Sequence, residues 1–210
     1  MGNRSTLIIL LLILLVLGTM IKAYYDTNTI EVRHYEITSG SLGGALAGLK
    51  VAFLADLHVK EVGVREKKTL ELLQKEKPDI ILLGGDLVGF KSQYAPLMSF
   101  LGRLEAPHGI YAVLGNTEYS NENGSCILCH KEKSTDLKQS SHPVFIRNSS
   151  VLVKVNGKAV NIAGLDDPVR GKADIDKTLQ AVDSNHPTIL LSHSPEIFDE
   201  ASSREVDMVG

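Results

Sequence analysis

Four short apolar runs, KVAFLAD, DIILLGGD, GIYAVLGN and PTILLSH, recur along the chain, and each closes on a polar residue. Short apolar runs bounded by turn residues read as buried strands. Between the first two lies VREKKTLELLQKEK, and between the second and third YAPLMSFLGRLEA; both space their apolar residues as a helix would. Strands alternating with helices require crossover connections, hence parallel pairing and an α/β sheet covered on both faces. After the third run the pattern shifts to PVFIRN, SVLVKV and AVNIAGLDD, read as successive strands, the last two joined by the Asn-Gly of NGK, a strong hairpin signal. The alternation then returns with the helix DIDKTLQAVDS, the strand PTILLSH and the helix PEIFDEASSRE, before VDMVG opens what reads as another strand.

The N-terminus carries a different signal. Leu7 to Leu17 is an unbroken aliphatic run, and the window Thr6 to Tyr25 supplies the length needed to cross a hydrocarbon core of about 30 Å. Lys22 can snorkel from its end, and Tyr24 and Tyr25 suit the headgroup layer. We expect an uncleaved anchor at residues 1–25, because no small-x-small cleavage site follows the run, with a cleaved signal peptide as the alternative. Arg4 precedes the apolar run, so the positive-inside rule sends the domain at residues 26–210 to the extracytoplasmic side of a bacterial inner membrane. With a net charge of −3, dispersed Lys and Arg and only 5% aromatic residues, the chain has no electrostatic footprint for nucleic acid.

Polar residues just past the strand ends form a set: Asp56 and His58 after the first run, Asp86 after the second, Asn116 after the third and His193 after the fourth. Ligand sites of open α/β sheets form at that edge, because loops converge over the strand ends. Two carboxylates, two imidazoles and an amide oxygen suit borderline divalent ions such as Mn, Fe or Zn. A carboxylate such as Asp86 can bridge two ions about 3.5 to 4 Å apart, the spacing at which paired metals serve phosphoryl transfer. Any one Asp after a strand is more often a cap or turn residue. Five such residues at successive strand ends argue for a metal centre.

The segments LADLH, GGDLV, GNTEY and LLSHSPEIFDEA, with NIAGLDDP, resemble the blocks of the calcineurin-like metallophosphoesterases, in particular their membrane-anchored bacterial branch. The resemblance runs from about Lys50 to the end of the chain. It implies a sandwich of two β-sheets flanked by helices, with Asp56 and His58 on a first metal, Asp86 bridging, and Asn116 and His193 on a second. It also implies hydrolysis of a phosphomonoester, phosphodiester or pyrophosphate, the substrate lipid-linked if the anchor holds the domain near the bilayer.

The chain departs from that pattern in two places. Where the family has a His that orients substrate and protonates the leaving oxygen, this sequence has Thr117. A positioned acid contributes about 10² to 10⁴ in rate, and a Thr hydroxyl cannot replace an imidazolium. Slow turnover is expected unless Glu118 or His130 supplies the proton. The family would also continue past VDMV into Gly-His-Thr-His, one further ligand for each metal, so the sequence reads as incomplete at its C-terminus.

Cys126, Cys129 and His130 form a Cys-x-x-Cys-His hook inside an insert at about residues 119–143, the pattern of covalent c-type haem attachment. A small-loop disulfide, a zinc site with His142 as fourth ligand, and a chance spacing remain alternatives. For haem, His142, His108 and Met98 are candidate sixth ligands. A tethered haem or electron-transfer protein on a phosphoesterase scaffold is therefore the alternative to a metal-dependent hydrolase.

Overall fold

The computed structural model describes residues 2–38, 40–89, 94–119, 126, 128, 142–155, 157–204 and 206–210. A long helix, α1 (Gly2–Asn28), is followed by an exposed extended stretch and a short helix, α2 (Gly40–Leu46). Then come β1 (Val51–Leu54), α3 (Val64–Glu76), β2 (Ile80–Leu83), α4 (Tyr94–Leu101), β3 (Ile110–Ala112) and β4 (Val144–Phe145). The second half consists of β5 (Ser149–Val155), β6 (Lys158–Gly164), α5 (Ile175–Gln180), β7 (Thr188–Leu191), α6 (Phe198–Ser202) and β8 (Met208–Val209).

The strands form two sheets, ordered β1-β2-β3-β4 and β5-β6-β7-β8. All pairs are parallel except the β5-β6 hairpin, which is antiparallel with Val155 opposite Lys158, as so short a connection requires. Strand order follows chain order, so each crossover advances the same way, and right-handed crossovers then put their helices on one face only. The helix side of the first sheet is built from Ile81, Leu83 and Ala112 packed on Leu97, Phe100 and Leu101 of α4, with Leu70 and Leu73 of α3. Its other face, Ile80, Leu82, Tyr111 and Val113, meets Val153, Val155, Val160, Ile162, Ile189 and Leu191 of the second sheet. The outer face of that sheet packs Ala163 and Leu190 on Ile175, Ile197 and Ala201. The architecture is an α/β sandwich of two sheets flanked by helices, as the resemblance implied. Helices cover one face of each sheet, not both as the alternation alone suggests, because the sheets cover each other.

Helical patterns outrun the helices in three places. The run from Tyr94 stops at Leu101 because Gly102 follows, where the chain turns on bonds from Gly102 N to Met98 O (2.9 Å) and Arg103 N to Phe100 O (3.0 Å). The run from Asp174 ends at Gln180, and Asp174 caps it by accepting the Lys177 amide at 2.9 Å. PEIFDEASSRE divides into a 3-10 turn, Pro195–Ile197, and α6. Sequence pattern also misses α2, whose Gly-rich segment has poor helix propensity; burial of Leu42 in the inter-sheet core holds it.

Helix α1 contains, within Asn3–Asn28, an 18-residue window of mean hydropathy 2.6 that is not buried among the described residues. At about 1.5 Å rise per residue it is long enough to cross a membrane. The helix runs past the expected anchor boundary at Tyr25 through Asp26, which Lys22 pairs at 2.7 Å.

Candidate metal centre

The strand ladder of the first sheet does not stop with its strands. Beyond β1 and β2 the backbone continues to pair: Asp56 N donates to Gly85 O (3.1 Å), His58 N to Asp86 O (3.0 Å) and Val59 N to Leu87 O (2.8 Å). These bonds zip the two loops together and bring Asp56, His58 and Asp86 to one edge. All three adopt positive φ, 52°, 46° and 50° respectively. A non-glycine residue pays for that conformation, and such strain concentrates at functional sites.

One donor atom from each of Asp56, His58 and Asp86 lies within 4.8 Å of the others. His58 Nε2 stands 3.9 Å from Asp56 Oδ1 and 3.8 Å from Asp86 Oδ2. On the other side of the same carboxylate, His193 Nε2 stands 3.4 Å from Asp86 Oδ1. These separations are long for hydrogen bonds. They match two donors sharing one ion, since bonds of about 2.0 to 2.2 Å place neighbouring donors roughly 3 to 4.3 Å apart. His193 Nδ1 lies 3.0 Å from Gly84 O, and a carbonyl only accepts, so Nδ1 carries the proton and Nε2 presents its lone pair. The donor set therefore fits divalent metal, with Asp86 set between two imidazoles.

Exposure grades across the site. The Asp56 and His58 side chains are 64% and 41% exposed, Asp86 6% and His193 10%. Asn116 opens a 3-10 turn, Asn116–Tyr119, and is half-buried. Thr117 is buried; its amide donates to Asp86 Oδ1 at 2.9 Å and its hydroxyl has no hydrogen-bond partner among the described residues.

Glu118 is fully buried and accepts four backbone amides: Asp86 (3.0 Å) and Gly115 (2.7 Å) on Oε2, Leu87 (2.8 Å) and Val88 (3.0 Å) on Oε1. Burial pushes its carboxyl up to about 7, while the Val88, Gly115 and Leu87 amides pull it down. Two oxygens offer about four acceptor sites, and four amides fill them. Glu118 is thus a clamp between the Asp86 and Asn116 loops, with no lone pair facing a substrate; the expectation that it could supply the missing proton gives way to a positioning role. The clamp works because the two loops touch. A Cβ on Gly115 would fall 2.3 Å from Asp86 Oδ1, and one on Gly85, at φ 90°, 2.8 Å from Gly115 N.

A second anchor comes from α3, where Arg65 Nη2 donates to Leu57 O at 2.7 Å, fixing the turn that carries Asp56 and His58. Asp167 lies on the loop after β6, is fully buried and leaves Oδ2 without a partner among the described residues. Burial raises its carboxyl above the usual range, opposed in part by the hydrogen bond from the Val169 amide. Sequence reading missed Arg65, Gly85, Gly115 and Asp167, since their roles depend on what the fold brings beside them.

Of the hook, Cys126 is half-buried against the α4 core; Cys129 and His130 lie outside the described residues. His142 Nε2 bonds Leu104 O ahead of β3, at the strand-start edge of the sheet and away from the metal residues.

Comparison with known proteins adds three facts. The family model described as calcineurin-like phosphoesterase matches residues 49–208. The chain is 26% identical over 199 residues to the uncharacterized metallophosphoesterase YkoQ of Bacillus subtilis (92% of this chain, 70% of that protein), and 25% identical over 178 residues to YkuE, another from the same organism (82% and 60%). It is 27% identical over 221 residues to a transmembrane protein with metallophosphoesterase domain of Danio rerio, covering 98% of this chain and 48% of that protein.

Proposed function

Because the chain belongs to the calcineurin-like phosphoesterase family, we propose that it is a membrane-anchored hydrolase that cleaves a phosphomonoester, phosphodiester or pyrophosphate bond with two divalent ions of the Mn, Fe or Zn type. The observation that carries this reading is Asp86 flanked by two imidazoles, His58 at 3.8 Å and His193 at 3.4 Å. Asp56 and His58 would hold one ion, Asn116 and His193 the other, and Asp86 both. When bound, such a pair supplies Lewis acidity and an activated water at neutral pH.

The residues of the chain divide the remaining work. The proton on His193 Nδ1 stays with Gly84 O, which keeps Nε2 aimed inward. Glu118 and Arg65 hold the loops, so the donors need little reorganisation on loading. Thr117 offers a hydroxyl in place of an imidazolium, so departure of a poor leaving group goes without a strong acid. The anchor, residues 1–25, places the domain, residues 26–210, against the bilayer on the extracytoplasmic side, where a lipid-linked phosphate ester is within reach.

The test is hydrolysis of bis(p-nitrophenyl) phosphate by the full chain in detergent with added manganese. Measurable turnover that Asp86→Asn lowers by at least about 10²-fold, as loss of a central charge stabiliser should, supports the reading. No manganese-dependent turnover by the wild type sinks it.

A further inference from the structure

Beside the metal centre two cations share one aromatic ring. Tyr119 closes the turn that Asn116 opens, and Lys172 Nζ lies 5.1 Å and Arg147 Cζ 5.8 Å from its centroid. The phenol is fixed, donating to Asp166 Oδ1 at 2.6 Å, and Arg147 Nε donates to Oδ2 of the same buried carboxylate. Lys172 is fixed by its backbone: its amide donates to Asp167 O (3.0 Å) and its carbonyl accepts from Asn148 Nδ2 (2.8 Å).

The charges do not balance. Asp166 answers Arg147, Asp174 is committed to the Lys177 amide at the start of α5, and Asp167 is fully buried and accepts the Val169 amide at 3.0 Å. Among the described residues no carboxylate lies within ion-pair distance of Lys172 Nζ, and Arg170 adds an exposed cation to the same turn. The shelf joins the site at two points: Tyr119 lies in the turn that Asn116 opens, and the end of β6 that leads to Asp166 and Lys172 pairs beside the end of β7, Leu165 N donating to Leu191 O (3.0 Å) two residues before His193.

A singly charged diester is answered by the metals alone. An uncompensated ammonium on a rigid aromatic platform next to them suits a second phosphoryl charge, for which lysine is an established point-charge partner. We propose that Lys172, backed by Tyr119 and Arg147, forms an anion subsite that selects substrates with a second phosphoryl group, such as pyrophosphate-linked diesters. The proposal rests on the phosphoesterase reading above and narrows its substrate class.

Two measurements on the full chain in detergent test it. In the first, diadenosine pyrophosphate and bis(p-nitrophenyl) phosphate are hydrolysed by wild type, Lys172→Ala and Lys172→Arg, with melting temperatures compared to confirm folding. Lys172→Ala should raise KM for the pyrophosphate ester about tenfold, the weight of one charge-assisted contact, and change the monoanionic diester by less than about twofold, with Lys172→Arg restoring most of the difference. Equal effects on both esters, or none, overturn the subsite. In the second, inorganic pyrophosphate is titrated calorimetrically into the manganese-loaded proteins; about tenfold weaker binding by Lys172→Ala supports the subsite and unchanged binding overturns it. Wild type inactive on both esters would remove the phosphoesterase reading, and the titration would still decide the subsite.

Discussion

Glu118 shows how one buried carboxylate can organise a site it does not chemically enter. Its four amide partners belong to the loops after β2 and β3, which carry Asp86 and Asn116. Glu118→Gln keeps the shape but turns one acceptor into a donor facing amides, leaving buried N–H groups unpaired. Each unpaired group costs about 1 to 3 kcal/mol, so chemical denaturation should show a loss of at least about 2 kcal/mol, with weaker manganese binding. Thr117 makes the opposite point: it is buried, its hydroxyl is unpartnered among the described residues, and it stands where the resemblance implies a proton donor. Thr117→His should raise kcat on a poor leaving group about tenfold or more and leave activated nitrophenyl esters nearly unchanged, since a general acid matters most where the leaving oxygen is basic. A uniform change across leaving groups would contradict this account.

Among the elements, β2 has the most at stake. Its residues Ile80 to Leu83 are all buried, alternating between the helix side of the sheet and the inter-sheet core, and its end delivers Gly85 and Asp86. Leu83→Ala should cost about 2 to 5 kcal/mol in unfolding free energy, the range for a buried leucine in a packed core. At the start of α5 the effect is smaller: Asp174→Ala removes one cap and should cost about 1 kcal/mol. Element types other than α2 were legible because their periodicities are local. Their ends were less so, as α4 stopping at Gly102 and α5 stopping at Gln180 show; where the next residues find tertiary partners decides the last turn.

For the whole molecule, a centre built from loops of both sheets ties metal to fold. Asp86 comes from the first sheet and His193 from the second, so an ion shared between them links the two halves of the sandwich. Manganese at 100 times its dissociation constant should stabilise the domain by about 2.7 kcal/mol, seen as a rise in melting temperature that chelation reverses and Asp86→Asn abolishes. The apolar window of α1 is not buried among the described residues, so deleting residues 1–28 should leave the melting temperature and the hydrolysis of a soluble ester unchanged while releasing the protein from membranes. Loss of folding on that deletion would show that the helix belongs to the core.

The sequence by itself determined the strand and helix alternation, the β5-β6 hairpin, the long apolar N-terminal helix and the polar set at the strand ends, because each is written in local spacing and residue type. Tertiary structure alone decided that the second sheet, and not a second helix layer, covers the first. It also decided that Glu118 is a clamp, that Gly85 and Gly115 admit no side chain, and that Lys172 stands beside Tyr119 with no ion-pair partner among the described residues. The physical reason is the same throughout: these properties belong to contacts between residues as far apart as 109 positions, as Gly84 and His193 are, and no local pattern encodes which distant surface a residue will meet.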